Sequence, residues 1–115
     1  MNNPYYNGIV TFSFSVVIKS NDHQTCLFIT KKIKDYLSAW YFGCAYSKEH
    51  KSARKGDILN REIQSSFEDY PSNVIAFREG LRCICSHYDL FTKDTSIKII
   101  DHGTAPKDRH LNILN

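Results

Sequence analysis

The stretch from Tyr41 to Asp57 gathers the residue types that hold a phosphorylated ligand. Between Lys48 and Lys55 stand four Lys/Arg residues, one His and one acid, with Tyr41, Phe42 and Tyr46 just before them. Asp57 reads as the N-cap of a helix, with Gly56 before it and Ile58, Leu59, Ile63 and Phe67 as its apolar positions. A helix start carries unsatisfied N–H groups and a partial positive charge. Arg54 and Lys55 beside it would therefore favour phosphate, and Tyr41, Phe42 and Tyr46 could stack on a base. The same composition also describes a solvated connector that Asp57 partly neutralises.

A second group lies further on. Arg78 and Arg82 are four residues apart, hence on one edge of a helix, flanking an apolar stripe. A guanidinium grips phosphate with two parallel hydrogen bonds and can stack on a base. The competing reading pairs both arginines with acids such as Glu79 or Asp89, or leaves them solvated. Phe77 falls in the stripe itself, where core packing competes with ligand stacking. Arg109, within Lys107-Asp-Arg-His110, sits in a tail that could reach a neighbouring subunit.

Catalytic patterns are weaker. Five histidines are present, but none stands in HExxH or a paired metal spacing, and no GxSxG elbow, Walker loop or GxGxxG occurs. His102 beside Asp101 could serve as a general base, although neighbours on a strand point to opposite faces. Asp57, Glu62, Asp69, Asp89 and Asp101 are scattered rather than grouped for a catalytic metal. Cys83-Ile-Cys85-Ser-His87 looks like a zinc cluster until it is placed on a helix. Residues two apart there diverge by about 200°, so both thiols cannot face one ion. No cofactor and no metal are expected.

Size and charge set the outer bounds. At 115 residues the chain is expected to form a single domain, residues 1–115, with one hydrophobic core. A net charge of +3 suits small anions better than duplex nucleic acid, so no stable nucleic-acid partner is expected. Met1-Asn-Asn-Pro-Tyr-Tyr has neither a charged start nor an apolar stretch, and no run approaches a membrane span. A cytoplasmic location is expected, with Cys26, Cys44, Cys83 and Cys85 as reduced thiols.

The elements that must position these residues follow from periodicity. Val10, Phe12, Phe14, Val16 and Ile18 alternate with Thr11, Ser13, Ser15 and Lys19, which predicts a strand with one buried face. Gln24–Ile29 reads as a second strand pairing with it as a hairpin. A helix from Thr30 to about Gly43, a second from Asp57 to Asp69 ended by Pro71, and a third capped by Ser72 or Asn73 come next. The third carries Val74, Phe77, Leu81, Ile84 and Tyr88, with Gly80 as its weak point. A strand over Ser96–Asp101 precedes an irregular tail from about residue 103. The expected class is α+β, in the order β-β-α-α-α-β, with an antiparallel sheet and about three helices on one face.

Taken together, Gly8-Ile-Val-Thr-Phe-Ser-Phe14, Trp40-Tyr-Phe42, Ala53-Arg-Lys-Gly-Asp-Ile-Leu-Asn60 and Asn73-Val-Ile-Ala-Phe-Arg-Glu-Gly80 resemble phage anti-Thoeris proteins of the signal-sequestering kind. The resemblance implies a sponge that binds cyclic ADP-ribose isomers, and in some relatives cyclic oligonucleotides, without cleaving them. It also implies dimers that build hexamers in the host-cell cytoplasm, with pockets of aromatic, amide and arginine side chains. Phe77 and Arg109 match such residues in type and region. Two other classes stay open: an inhibitor or adaptor acting through a protein surface that includes Tyr5, Tyr6 and the tail, and a small nucleotide-degrading enzyme using Asp101 or His102.

Overall fold

The computed structural model describes residues 8–41, 47–52, 59–92 and 94–107. Along the chain come β1 (Val10–Ser20), α1 (His23–Trp40), β2 (Ser47–Ser52), β3 (Leu59–Asp69), α2 (Pro71–Phe91) and β4 (Thr95–Pro106). The class is α+β with an antiparallel sheet, as expected. Among the described residues the sheet has four strands in the order β2-β3-β1-β4, and there are two helices where about three are expected. This βαββαβ order is the ferredoxin-like, split-βαβ arrangement. No helix among the described residues is long and apolar enough to cross a membrane.

β1 behaves as its alternation predicts. Val10, Phe12, Phe14, Val16 and Ile18 are all buried, and α1 and α2 cover that face of the sheet. The strand is central, however, pairing with β3 on one side and β4 on the other instead of forming a hairpin with Gln24–Ile29.

Gln24–Ile29 is the first half of α1. Cys26, Ile29, Thr30, Ile33 and Leu37 are buried at helical spacing, and that stripe outweighs the strand propensity of Thr, Phe and Ile. The N-cap is Asp22, whose carboxylate accepts from the Thr25 N–H at 3.2 Å. Thr30, expected as a cap, lies inside the helix and donates its hydroxyl to the Cys26 carbonyl at 2.7 Å. The helix ends at Trp40. Gly43, its expected terminus, lies outside the described residues.

Where a helix is expected over Asp57–Asp69, Leu59–Asp69 is strand β3. Ile63 and Phe67 are four residues apart, and that separation shares a face in a strand as well as in a helix. Pairing decides between them: Ile63 stands opposite Val16, and Phe67 opposite Phe12. Ser47–Ser52, read as loop, is the edge strand β2 on the far side of β3. Pro71, expected to end a helix, instead opens α2 at its first turn, where a missing N–H costs nothing. Asp69 organises that start by accepting from the Tyr70 N–H at 2.7 Å and the Asn73 amide at 2.9 Å.

Gly80 has a packing role. A Cβ there would stand 2.0 Å from the Tyr36 hydroxyl oxygen, and Tyr36 donates that hydroxyl to the Phe77 carbonyl at 2.9 Å. The glycine lets α1 and α2 close on each other. The tail expected from residue 103 begins later, because β4 continues to Pro106 past a register shift facing Phe12–Phe14. Gly103 takes φ +90° there, a backbone that suits glycine.

Candidate functional site

The structure brings three expected site residues to one place. Phe77, Arg78 and Arg82 line a cleft of about 150 Å³ between α2 and the sheet, together with Phe14, Leu81, Ile99 and Asp101. Helical spacing on α2 sets Arg78 and Arg82 on one rim, while β1 and β4 supply the opposite wall.

Arg78 is held as a fork. Its Nε lies 2.9 Å from Asp101 Oδ2, and its Nη2 donates to Asp101 Oδ1 at 2.9 Å. The guanidinium carbon stands 5.9 Å from the centroid of the Phe12 ring, a cation–π distance. Asp101 also accepts from the Gly103 N–H at 2.7 Å, so this carboxylate ties β4 to α2 and braces the irregular stretch of β4 at its register shift. Arg82 is more exposed and pairs with Glu79 one turn back. The competing reading of the arginines therefore holds in part: Glu79 takes Arg82, but the partner of Arg78 is Asp101 rather than Glu79 or Asp89. Asp89 accepts from the Ile97 N–H at 3.0 Å.

Phe77 is a core residue. It is 0% exposed and has the rings of Phe12, Phe14, Tyr36, Trp40, Tyr41 and Phe67 within 6.0 Å. A ring so enclosed favours the core-packing reading over ligand stacking. It forms the floor beneath the cleft. Tyr41 is likewise engaged: it stacks on Phe67 at 4.3 Å and donates to Asp69 at 3.1 Å. Burial, with that hydrogen bond and the Asp69 charge, pushes the Tyr41 phenol far above its usual range.

Arg54, Lys55, Tyr46 and Arg109 lie outside the described residues. The helix expected to start beside Arg54 and Lys55 is not there: Leu59–Asp69 is a strand and supplies no helix dipole to a phosphate.

The other chemistry-bearing side chains have structural partners. Asp101 and His102 do face opposite ways: Asp101 meets Arg78 of α2, while His102 Nε2 lies 3.2 Å from the Ser15 hydroxyl. Cys83 is exposed and Cys85 buried, as divergence on a helix requires. Burial, reinforced by Asp89, pushes the Cys85 thiol up to about 12. Among the described residues no three or more His, Cys, Asp and Glu side chains are grouped to hold a metal.

Sequence reading missed Phe14, Ile99 and Asp101 as parts of the cleft. The signal was present only as alternation in β1 and β4, which tells which face a residue takes and not which helix covers it.

No protein-family model matches this chain, and no curated protein matches it in sequence. Similarity appears at the level of structure. A de novo designed protein, Foldit4, superposes with a TM-score of 0.61 at 9% identity, over 81% of this chain and 97% of the design. A hydantoinase/carbamoylase family amidase from Burkholderia ambifaria superposes with a TM-score of 0.57 at 11% identity. That match covers 87% of this chain, which spans only 29% of the amidase. At such identities the likeness is one of fold alone.

Proposed function

We propose that this chain is a non-catalytic binding protein that captures a nucleotide-type phosphorylated signal and withholds it, as the resemblance to signal-sequestering anti-Thoeris proteins implies. The ligands it proposes are cyclic ADP-ribose isomers, with cyclic oligonucleotides as the second class, in the cytoplasm of a host cell. The observation that carries the reading is the pair of guanidinium groups on one rim of α2, above an aromatic floor. Arg82 is the one open to a phosphate, its side chain 63% exposed and its partner Glu79 equally so. Exposed ion pairs contribute little, about 0–1 kcal/mol, so an incoming phosphate can replace that carboxylate. Arg78 is costlier to recruit, because Asp101 already occupies its fork.

The volume shapes the proposal. About 150 Å³ is below the roughly 300–1,000 Å³ of small-molecule sites and takes a phosphate rather than a whole nucleotide. The remainder of such a ligand must be covered by other surfaces, and a second copy of the chain is the source this reading requires. Homo-oligomers, dimers or hexamers, are therefore part of it.

The test is capture and release. Protein mixed with each cyclic nucleotide is filtered, then heated, and both fractions are chromatographed. Loss from the filtrate with intact recovery on heating supports a sponge. A converted product makes it an enzyme, and unretained ligand ends the reading. Arg82→Ala is expected to weaken capture about tenfold to a hundredfold, the worth of one charge-assisted phosphate contact.

One observation favours a protein surface as the second reading. Ile75 is 63% and Leu90 78% exposed on α2, large apolar side chains where a solvated helix would carry polar ones. An inhibitor or adaptor would use them, and would give a stable complex with a protein while retaining no nucleotide.

A further inference from the structure

A different part of the molecule has room for a ligand. Between the first turns of α1 and the last turns of α2 lies a hollow of about 400 Å³, bounded by Gln24, Thr25 and Phe28 on one side and His87 and Tyr88 on the other. A second hollow of about 260 Å³ shares His87 and Tyr88 and extends to Lys32. Together they form an open groove of the size of ordinary small-molecule sites, which the α2–β4 cleft is not.

Its chemistry is specific. Phe28 is 52% exposed, off the buried stripe of α1, and meets Tyr88 edge to face with centroids 5.9 Å apart. The His87 ring packs against Tyr88 at 5.0 Å, and Lys32 Nζ stands 5.4 Å from the Phe28 centroid. Two aromatic walls are thus rimmed by an ammonium and an imidazole. Among the described residues, none that lines either hollow is an acid. The acid tied to the groove, Asp22, is already the acceptor for the Thr25 N–H and hydroxyl. The positive end of α1 and the negative end of α2 oppose each other there, so Lys32 sets the sign of the site.

We infer that this groove binds a planar aromatic anion: a ring lying against Phe28 and Tyr88, with its carboxylate, sulfonate or phosphate at Lys32. The site is separate from the Arg78–Arg82 cleft and does not depend on nucleotide capture there.

The probe is 1-naphthyl phosphate, titrated into the full-length 15N-labelled protein and followed by amide shifts. Saturable shifts confined to residues 24–32 and 83–92 are expected, with Kd of about 10⁻⁴–10⁻³ M for a ligand of this size. Lys32→Gln should weaken binding about tenfold and Phe28→Ala should abolish it, while Arg82→Ala should leave it unchanged. Phe28 is half exposed, so its variant should keep a native spectrum, which the same experiment reads. Three results overturn the inference. Inorganic phosphate alone could produce the same shifts, 1-naphthalenemethanol could bind equally well, or the shifts could fail to saturate.

Discussion

Phe77 shows how one residue type serves two readings until its surroundings are known. An aromatic on a helix beside two arginines fits a base-stacking wall, yet its ring is fully enclosed by other rings. Truncation removes a core side chain and leaves a cavity, so Phe77→Ala should lower stability by about 3–5 kcal/mol, read by denaturant unfolding. A variant of unchanged midpoint that lost only ligand capture would return Phe77 to the binding surface. Arg78 and Asp101 make the converse point. They are 23 residues apart in sequence and meet as a fork only because α2 crosses β4, so neither identity discloses the pair.

The elements differ in how much of themselves they announce. β1 is unmistakable because five apolar residues alternate without interruption, and α2 because its stripe runs through Val74, Phe77 and Leu81 at a spacing no strand shares. β3 is ambiguous, since Ile63 and Phe67 satisfy both periods. The start of α1 is misread because β-branched and aromatic residues fill its first turns. Gly80 belongs to this scale as well. Propensity alone makes Gly80→Ala stabilising by about 1 kcal/mol. The contact with Tyr36 reverses the sign, since the ring must move from its stack on Phe77 and give up its hydrogen bond. Net destabilisation of about 1–3 kcal/mol is expected. Adding Tyr36→Phe, which removes the clashing oxygen, should recover part of it in a double-mutant cycle.

For the whole molecule, proton linkage gives a stability profile. Cys85 has its thiol raised from 9.0 to about 12, and burial raises the Tyr36 and Tyr41 phenols too. In each case the folded state keeps a proton that the unfolded chain releases earlier. Their contribution is complete below about pH 9 and is lost as pH rises through the folded values. Denaturant midpoints should therefore hold from pH 7 to 9 and fall between pH 9 and 11. In Cys85→Ala the fall should be shallower, and an equal slope would remove the thiol from the account.

What the sequence by itself determined is local: the buried alternation of β1, the apolar stripe of α2, the α+β class, and the divergence of Cys83 from Cys85. Each depends on neighbours within a few residues, where period and backbone geometry are enough. Only the tertiary structure decided the rest. It made β1 central, turned 59–69 into its partner strand, and set Arg78 on Asp101 and Phe77 beneath both. The physical reason is that a strand without a partner and a cleft between two elements are defined by contacts across the chain. No single segment encodes which surface will cover it.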